Sequence, residues 1–140
     1  EVKREHRESE GDPEIKAARR RAHQEALAGS MITAVKNATV LVVNPTHLAT
    51  ALRYDENEDE APTVIAHGEG DLARRLIEAA HAYNVPVVRD VPVAHALREL
   101  TLGEQIPEAL YEAVAEVLRE LLANENESES TGRREGGKDF

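Results

Sequence analysis

The sequence predicts an α/β domain: a small mixed sheet of about four strands packed by about four helices, with a protruding N-terminal linker helix and a disordered C-terminal tail. Two observations carry this. Short β-branched runs, Thr39 to Val43 among them, alternate with segments of helical periodicity, and turn residues separate the two kinds. The chain ends, in contrast, are charged or polar without any period. Of 140 residues, a folded part of about 90 remains, enough for one sheet with helices on it.

Residues 1–30 read as a charged linker and a basic helix. Glu1 to Gly11 is almost wholly polar. Asp12-Pro13-Glu14 is a helix start, with Asp as N-cap and Pro at the first helical position. The helix is expected from Ile15 to about Ala28, stopping at Gly29-Ser30. Lys16, Arg19, Arg20 and Arg21 make it basic, and its apolar positions are sparse. Such a helix suits solvent, or a surface of anionic lipid, where each Lys or Arg gains roughly 1 kcal/mol.

Residues 31–123 read as the domain proper. Met31 to Lys36 is a short turn or connector. Thr39 to Val43 has the continuous apolarity of a buried strand. Asn44-Pro45-Thr46-His47 is a turn, and Leu48 to Tyr54 a second strand. Five acids within Asp55 to Glu60 mark an exposed loop without the spacing of a calcium site. Pro62 to His67 is a third strand. Gly68-Glu69-Gly70-Asp71 opens a helix capped by Asp71, since its two acids would repel phosphate. That helix, Leu72 to Tyr83, ends at Asn84 in the left-handed conformation. Pro86 to Val88 is a strand start or an edge strand, parallel to the third. Pro92 begins a helix to Leu100, and Ile106-Pro107 begins the last, from Glu108 to about Ala123. Residues 124–140 are the tail.

Composition removes several function classes. A net charge of −10 argues against broad nucleic-acid binding. There is no Cys, hence no disulfide or thiolate metal site. The six His residues (His6, His23, His47, His67, His81 and His95) form no ligand pair at helical spacing. No phosphate loop, dinucleotide fingerprint or nucleophile elbow occurs. No cofactor is expected, and no metal. The chain opens in charged sequence without an initiator Met, as a piece of a longer protein would.

The chemical option lies in Asn44-Pro45. Pro45 has no N–H, so the usual attack of the following nitrogen on the Asn side chain is blocked. The reverse attack remains: Asn44 Nδ2 on its own carbonyl carbon, closing a succinimide and expelling the Pro45 nitrogen. Both reacting groups belong to one residue, so the effective molarity is high when the rotamer is held. His47 is placed to assist proton transfer, and Thr46 to polarise the carbonyl through its hydroxyl or N–H. Asn-Pro is also a common turn dipeptide. An uncut docking domain and a small α/β enzyme using His47 therefore stay open beside self-cleavage.

Asn44-Pro45-Thr46-His47 after Val40-Leu41-Val42-Val43 resembles the NPTH signature of the autocleaving export switch proteins of type III secretion, the FlhB/YscU family. Further likeness lies in Glu10 to Lys16, Arg20 to Glu25, Leu48 to Tyr54, Val85 to Val88, Val91 to Leu97 and Ile106 to Glu108. The resemblance covers about residues 10 to 123. It implies a cytoplasmic domain of an inner-membrane protein, cut between Asn44 and Pro45 in one turnover, with its two pieces held together. It implies a role in protein export and in the switch from early to late substrates. Implied partners are other export apparatus proteins, a length-control ruler protein and exported substrates. Family members often carry Pro-Leu-Ala-Arg-Ala-Leu where this chain has Pro92 to Leu97, and a Lys near His67, departures that bear on partner contacts. Arg20 to Glu25 leans toward the virulence injectisome branch, the one favoured, whereas Leu102 to Pro107 has a flagellar character.

Overall fold

The computed structural model describes residues 12–45 and 47–124. The charged arm read over residues 1–11 lies outside them, as does the tail from residue 125. In chain order the elements are α1 (Pro13–Ala34), β1 (Val40–Asn44), β2 (Leu48–Arg53), β3 (Thr63–Glu69), α2 (Gly70–Ala82), β4 (Val87–Arg89) and α3 (Val91–Leu97). One 3-10 turn, Val35–Asn37, follows α1, and another, Glu108–Leu110, leads into α4, residues 111–124. The expected tail start at Asn124 is thus still helical.

The four strands form one sheet in the order β3-β2-β1-β4. β1 pairs antiparallel with β2 and parallel with β4, and β2 pairs antiparallel with β3. β3 and β4 therefore run the same way, as their strand–helix–strand sequence predicts. β4 is an edge strand, one of the two places that Pro86 allows.

Both faces of the sheet are covered, which explains the unbroken apolar run of β1. Val40 and Val42 pack with Val93, Leu97, Val114 and Val117 of α3 and α4. Leu41 and Val43 pack on the opposite face with Met31, Val35, Leu76 and Ala80 from the α1 and α2 side. The two layers follow from the period-two alternation of a strand. β3 breaks that alternation. Ala51 pairs with Ala66 but Leu52 pairs with Val64, so Ile65 is a bulge residue. Val64 and Ala66, two apart, consequently fall in different core layers.

Several helix boundaries differ from expectation; α3 stops at Leu97 and not at Leu100, whose N–H turns back to the Leu97 carbonyl at 3.1 Å. α1 does not stop at Gly29-Ser30 but continues to Ala34, because Ala28, Met31 and Val35 bury a helical stripe just there. That burial outweighs the cost of a helical Gly, about 1 kcal/mol. The start of α1 matches its signature, with the Asp12 side chain accepting from the Glu14 N–H at 2.8 Å. In α2 the N-cap is Glu69, not Asp71, and it makes no side-chain cap bond. Gly70 takes φ +57° and lets the helix begin two residues earlier. Asp71 then sits in the first turn and binds Arg74, at 2.7 Å to Nη2. Asn84, with φ 59°, ends this stretch as predicted.

Candidate functional site: the hairpin turn at Asn44-Pro45

Asn44 is the last residue of β1 and Leu48 the first of β2, and the two pair directly. Pro45 and His47 lie in the turn between them. The His47 N–H donates to the Asn44 carbonyl oxygen at 3.0 Å. This is the bond of a β-turn, with Asn and Pro in the first two positions that such turns favour. The carbonyl that a self-cleaving chain must polarise is thus already hydrogen-bonded. Its described donor is the backbone of His47, a role that the sequence had suggested for Thr46. Thr46 itself lies outside the described residues.

The turn is held from behind. The His47 carbonyl accepts from the Gly70 N–H at 3.0 Å, tying β2 to the start of α2. The Val43 carbonyl accepts from the Asp90 N–H at 3.2 Å, tying β1 to the chain after β4. Glu69 Oε1 meets Arg98 Nε at 2.8 Å, linking the end of β3 to the end of α3. Because β1, β3 and β4 run in parallel, all three finish at this end of the sheet, where β2 begins.

Asn44 is half-buried, while Pro45 and His47 are exposed. Val40 and Val42 face the α3 side, so two residues further on Asn44 projects to that side too. Leu48, its cross-hairpin partner, is buried in the same layer. The imidazole of His47 makes no hydrogen bond among the described residues. Of the two grooves nearest to a binding cavity, one is lined by Tyr54, Pro62, Ile106, Tyr111 and Leu118, at the far end of the sheet from the turn. The other lies between α1 and α2, beside Ile32 and Tyr83. Neither is lined by His47, and neither was legible as a groove in the sequence, because each joins residues from separate elements.

The basic cluster divides between two faces of α1. At about 100° per residue, Lys16, Arg19 and Arg20 share a face with His23. Arg21 lies about 140° around from Lys16, on the side of Glu25, whose Oε1 meets Arg75 of α2 at 2.9 Å. All four cations are exposed. Among the described residues no cluster of His, Asp and Glu is arranged to hold a metal ion. No helix among them is long and apolar enough to cross a membrane.

A family model described as the FlhB HrpN YscU SpaS family matches residues 1–121. The chain belongs to this family. FlhB/HrpN/YscU/SpaS proteins are components of the type III secretion export apparatus. The flagellar biosynthetic protein FlhB of Salmonella typhimurium is 45% identical over 118 residues, covering 84% of this chain and 31% of the relative. The hypersensitivity response secretion protein HrcU of Ralstonia nicotianae is 45% identical over 119 residues, covering 84% and 33%. A flagellar and a secretion relative thus stand equally near. The chain spans about a third of the length of these curated family members. The crystal structure of the cytoplasmic domain of FlhB from Shewanella putrefaciens superposes with a TM-score of 0.62 at 43% identity, covering 66% of this chain and 71% of that one.

Proposed function

We propose that this chain is the cytoplasmic part of an export apparatus protein that cuts itself once, between Asn44 and Pro45, by cyclisation of Asn44. The observation that carries the reading is the hydrogen bond from the His47 N–H to the Asn44 carbonyl oxygen. Attack by Asn44 Nδ2 turns that oxygen into an oxyanion, and a donor already in place stabilises the charge without reorganisation. The reacting amide and carbonyl belong to one residue, so no second molecule need be ordered. Pro45 blocks the competing attack of a following N–H. The exposed His47 side chain serves the departing Pro45 nitrogen as a proton donor.

Cutting at a hairpin tip leaves the sheet its pairings. β1 stays bonded to β4 and β2, and β2 to β3. The cut therefore changes the surface at one end of the domain and keeps the fold. That suits a switch of export specificity, read by other export apparatus proteins, a ruler protein and exported substrates at the inner face of the bacterial inner membrane. Residues 1–30 act as the tether to a membrane part. Lys16, Arg19 and Arg20 are the residues of that tether presented to anionic lipid. The features of α1 favour the injectisome branch.

Denaturing mass spectrometry tests the reading. The wild-type chain yields pieces of 44 and 96 residues, together its full 140, and Pro45 is the first residue of the larger one. Asn44→Ala stays whole. A wild-type chain still intact after long incubation at neutral pH would leave the hairpin an uncut docking element.

A further inference from the structure

Asn44 has an acidic neighbour that the sequence separates from it by 46 positions. In the parallel pairing of β1 with β4, Val42 matches Val88 and Val43 matches Arg89. The paired rows end there, but the Asp90 N–H donates to the Val43 carbonyl at 3.2 Å, so continuing the register by one residue sets Asp90 beside Asn44. Val42 and Val88 both pack in the α3-side layer. Two residues on, Asn44 and Asp90 project to that same side, on strands about 5 Å apart. Asp90 Oδ1 accepts the Val93 N–H at 3.1 Å and so caps α3. Its second oxygen has no hydrogen bond or ion pair among the described residues. Both residues are half-buried, so the carboxylate is only partly screened by water.

We infer that Asp90 is the proton acceptor for Asn44 in self-cleavage. The inference rests on that reading and names a residue that carries it. A neutral amide nitrogen is a weak nucleophile, and its attack must shed a proton. In the step, the bond from Asn44 Nδ2 to the Asn44 carbonyl carbon forms, and one Nδ2 proton passes to the free Asp90 oxygen. The tetrahedral centre then collapses and breaks the carbon–nitrogen bond to Pro45. The expelled Pro45 nitrogen takes one proton through the His47 side chain, which regains one from solvent, and Asp90 returns its own to solvent. Proton count and charge balance, and no further reactant enters. The cap on Val93 occupies one carboxylate oxygen and leaves the other without a partner among the described residues. Other titratable groups at this end of the domain are His47 in the turn, Arg89 on β4, His95 and Arg98 on α3, and Glu69 on β3, the last bound to Arg98.

Asp90→Asn separates the two jobs of the residue, since Asn caps a helix as well as Asp does. The full chain carrying Asp90→Asn, and a second variant Asp90→Ser that also caps, are followed by denaturing mass spectrometry from pH 3 to 8, with the melting temperature as a control. Expected is a loss of rate on the order of 100-fold in both, the scale of a positioned base, at an unchanged melting temperature. The pH profile of both variants differs from that of the wild type. Cleavage of both variants at the wild-type rate with the wild-type pH profile would overturn the role of Asp90 and leave self-cleavage standing. An uncut wild-type chain would overturn self-cleavage and this role with it.

Discussion

The His47 N–H lies 3.0 Å from the Asn44 carbonyl oxygen, which joins the two ends of the turn across the peptide bond proposed to break. The bond belongs to the backbone, so it survives loss of the imidazole. His47→Ala should cleave within several-fold of the wild-type rate. His47→Pro, which removes the donor, should cleave slower by on the order of 100-fold, the effect of losing one oxyanion donor. Time courses of fragment appearance measure both. Equal rates for the two variants would take this hydrogen bond out of the mechanism.

The division of α1 into faces predicts unequal lipid binding. Neutralising Lys16, Arg19 and Arg20 together should abolish partition onto vesicles containing anionic lipid. Arg21→Gln alone should weaken it little, because Arg21 lies on the side of the Glu25–Arg75 bridge. Vesicle sedimentation at two salt concentrations checks this, since attraction to a charged surface weakens as salt rises. Binding that ignores lipid charge would reject the stripe.

Gly68 and Gly70 should fail for different reasons. A Cβ on Gly68 would sit 2.5 Å from Leu72 Cγ, so Gly68→Ala overpacks and should cost about 1–3 kcal/mol. Adding Leu72→Ala should recover part of that loss. A Cβ on Gly70 meets nothing within 4 Å, but its φ is +57°. Gly70→Ala should cost about 1–2 kcal/mol through the backbone alone, with no rescue by Leu72→Ala. Urea midpoints of the four variants separate the cases.

Asp71 gives a pH prediction. Its hydrogen bond to Arg74, and then the charge of that guanidinium, hold the carboxyl below its usual value of 3.8. A depressed carboxyl contributes stability above its unfolded pKa and loses it as pH falls through the folded one. Arg74→Ala should therefore raise the Asp71 pKa, measured by carbon NMR titration, and reduce the stability difference between pH 7 and pH 3. The effect is small because both side chains stand in solvent. An unchanged Asp71 titration would refute the pairing.

Much of this fold is legible in the sequence because its signals are local. Asp12-Pro13 caps α1, Asn84 ends α2, and the run Val40 to Val43 is apolar throughout because both faces are covered. Asn44-Pro45 carries its chemical option within two adjacent residues, so it too stands out. What stays hidden depends on pairing. The bulge at Ile65 exists only against Ala51 and Leu52. The passage of α1 through Gly29 depends on the surface that Met31 and Val35 meet. The place of Asp90 beside the end of β1 depends on the register of β4. A propensity or a motif reads along the chain, and none of these three is a relation along the chain.

The place of β1 inside the sheet, with partners on both sides, has a thermodynamic consequence. An uncut chain folds as one molecule, and its stability does not depend on dilution. If severed at the hairpin tip as proposed, the domain would be a complex of two polypeptides, one of which supplies an interior strand. Its integrity would then obey mass action: the fraction assembled would fall as the concentration falls, and each piece could be drawn off by a competitor for the other. In a machine where the tether holds the shorter piece in place, the longer piece would become a replaceable part.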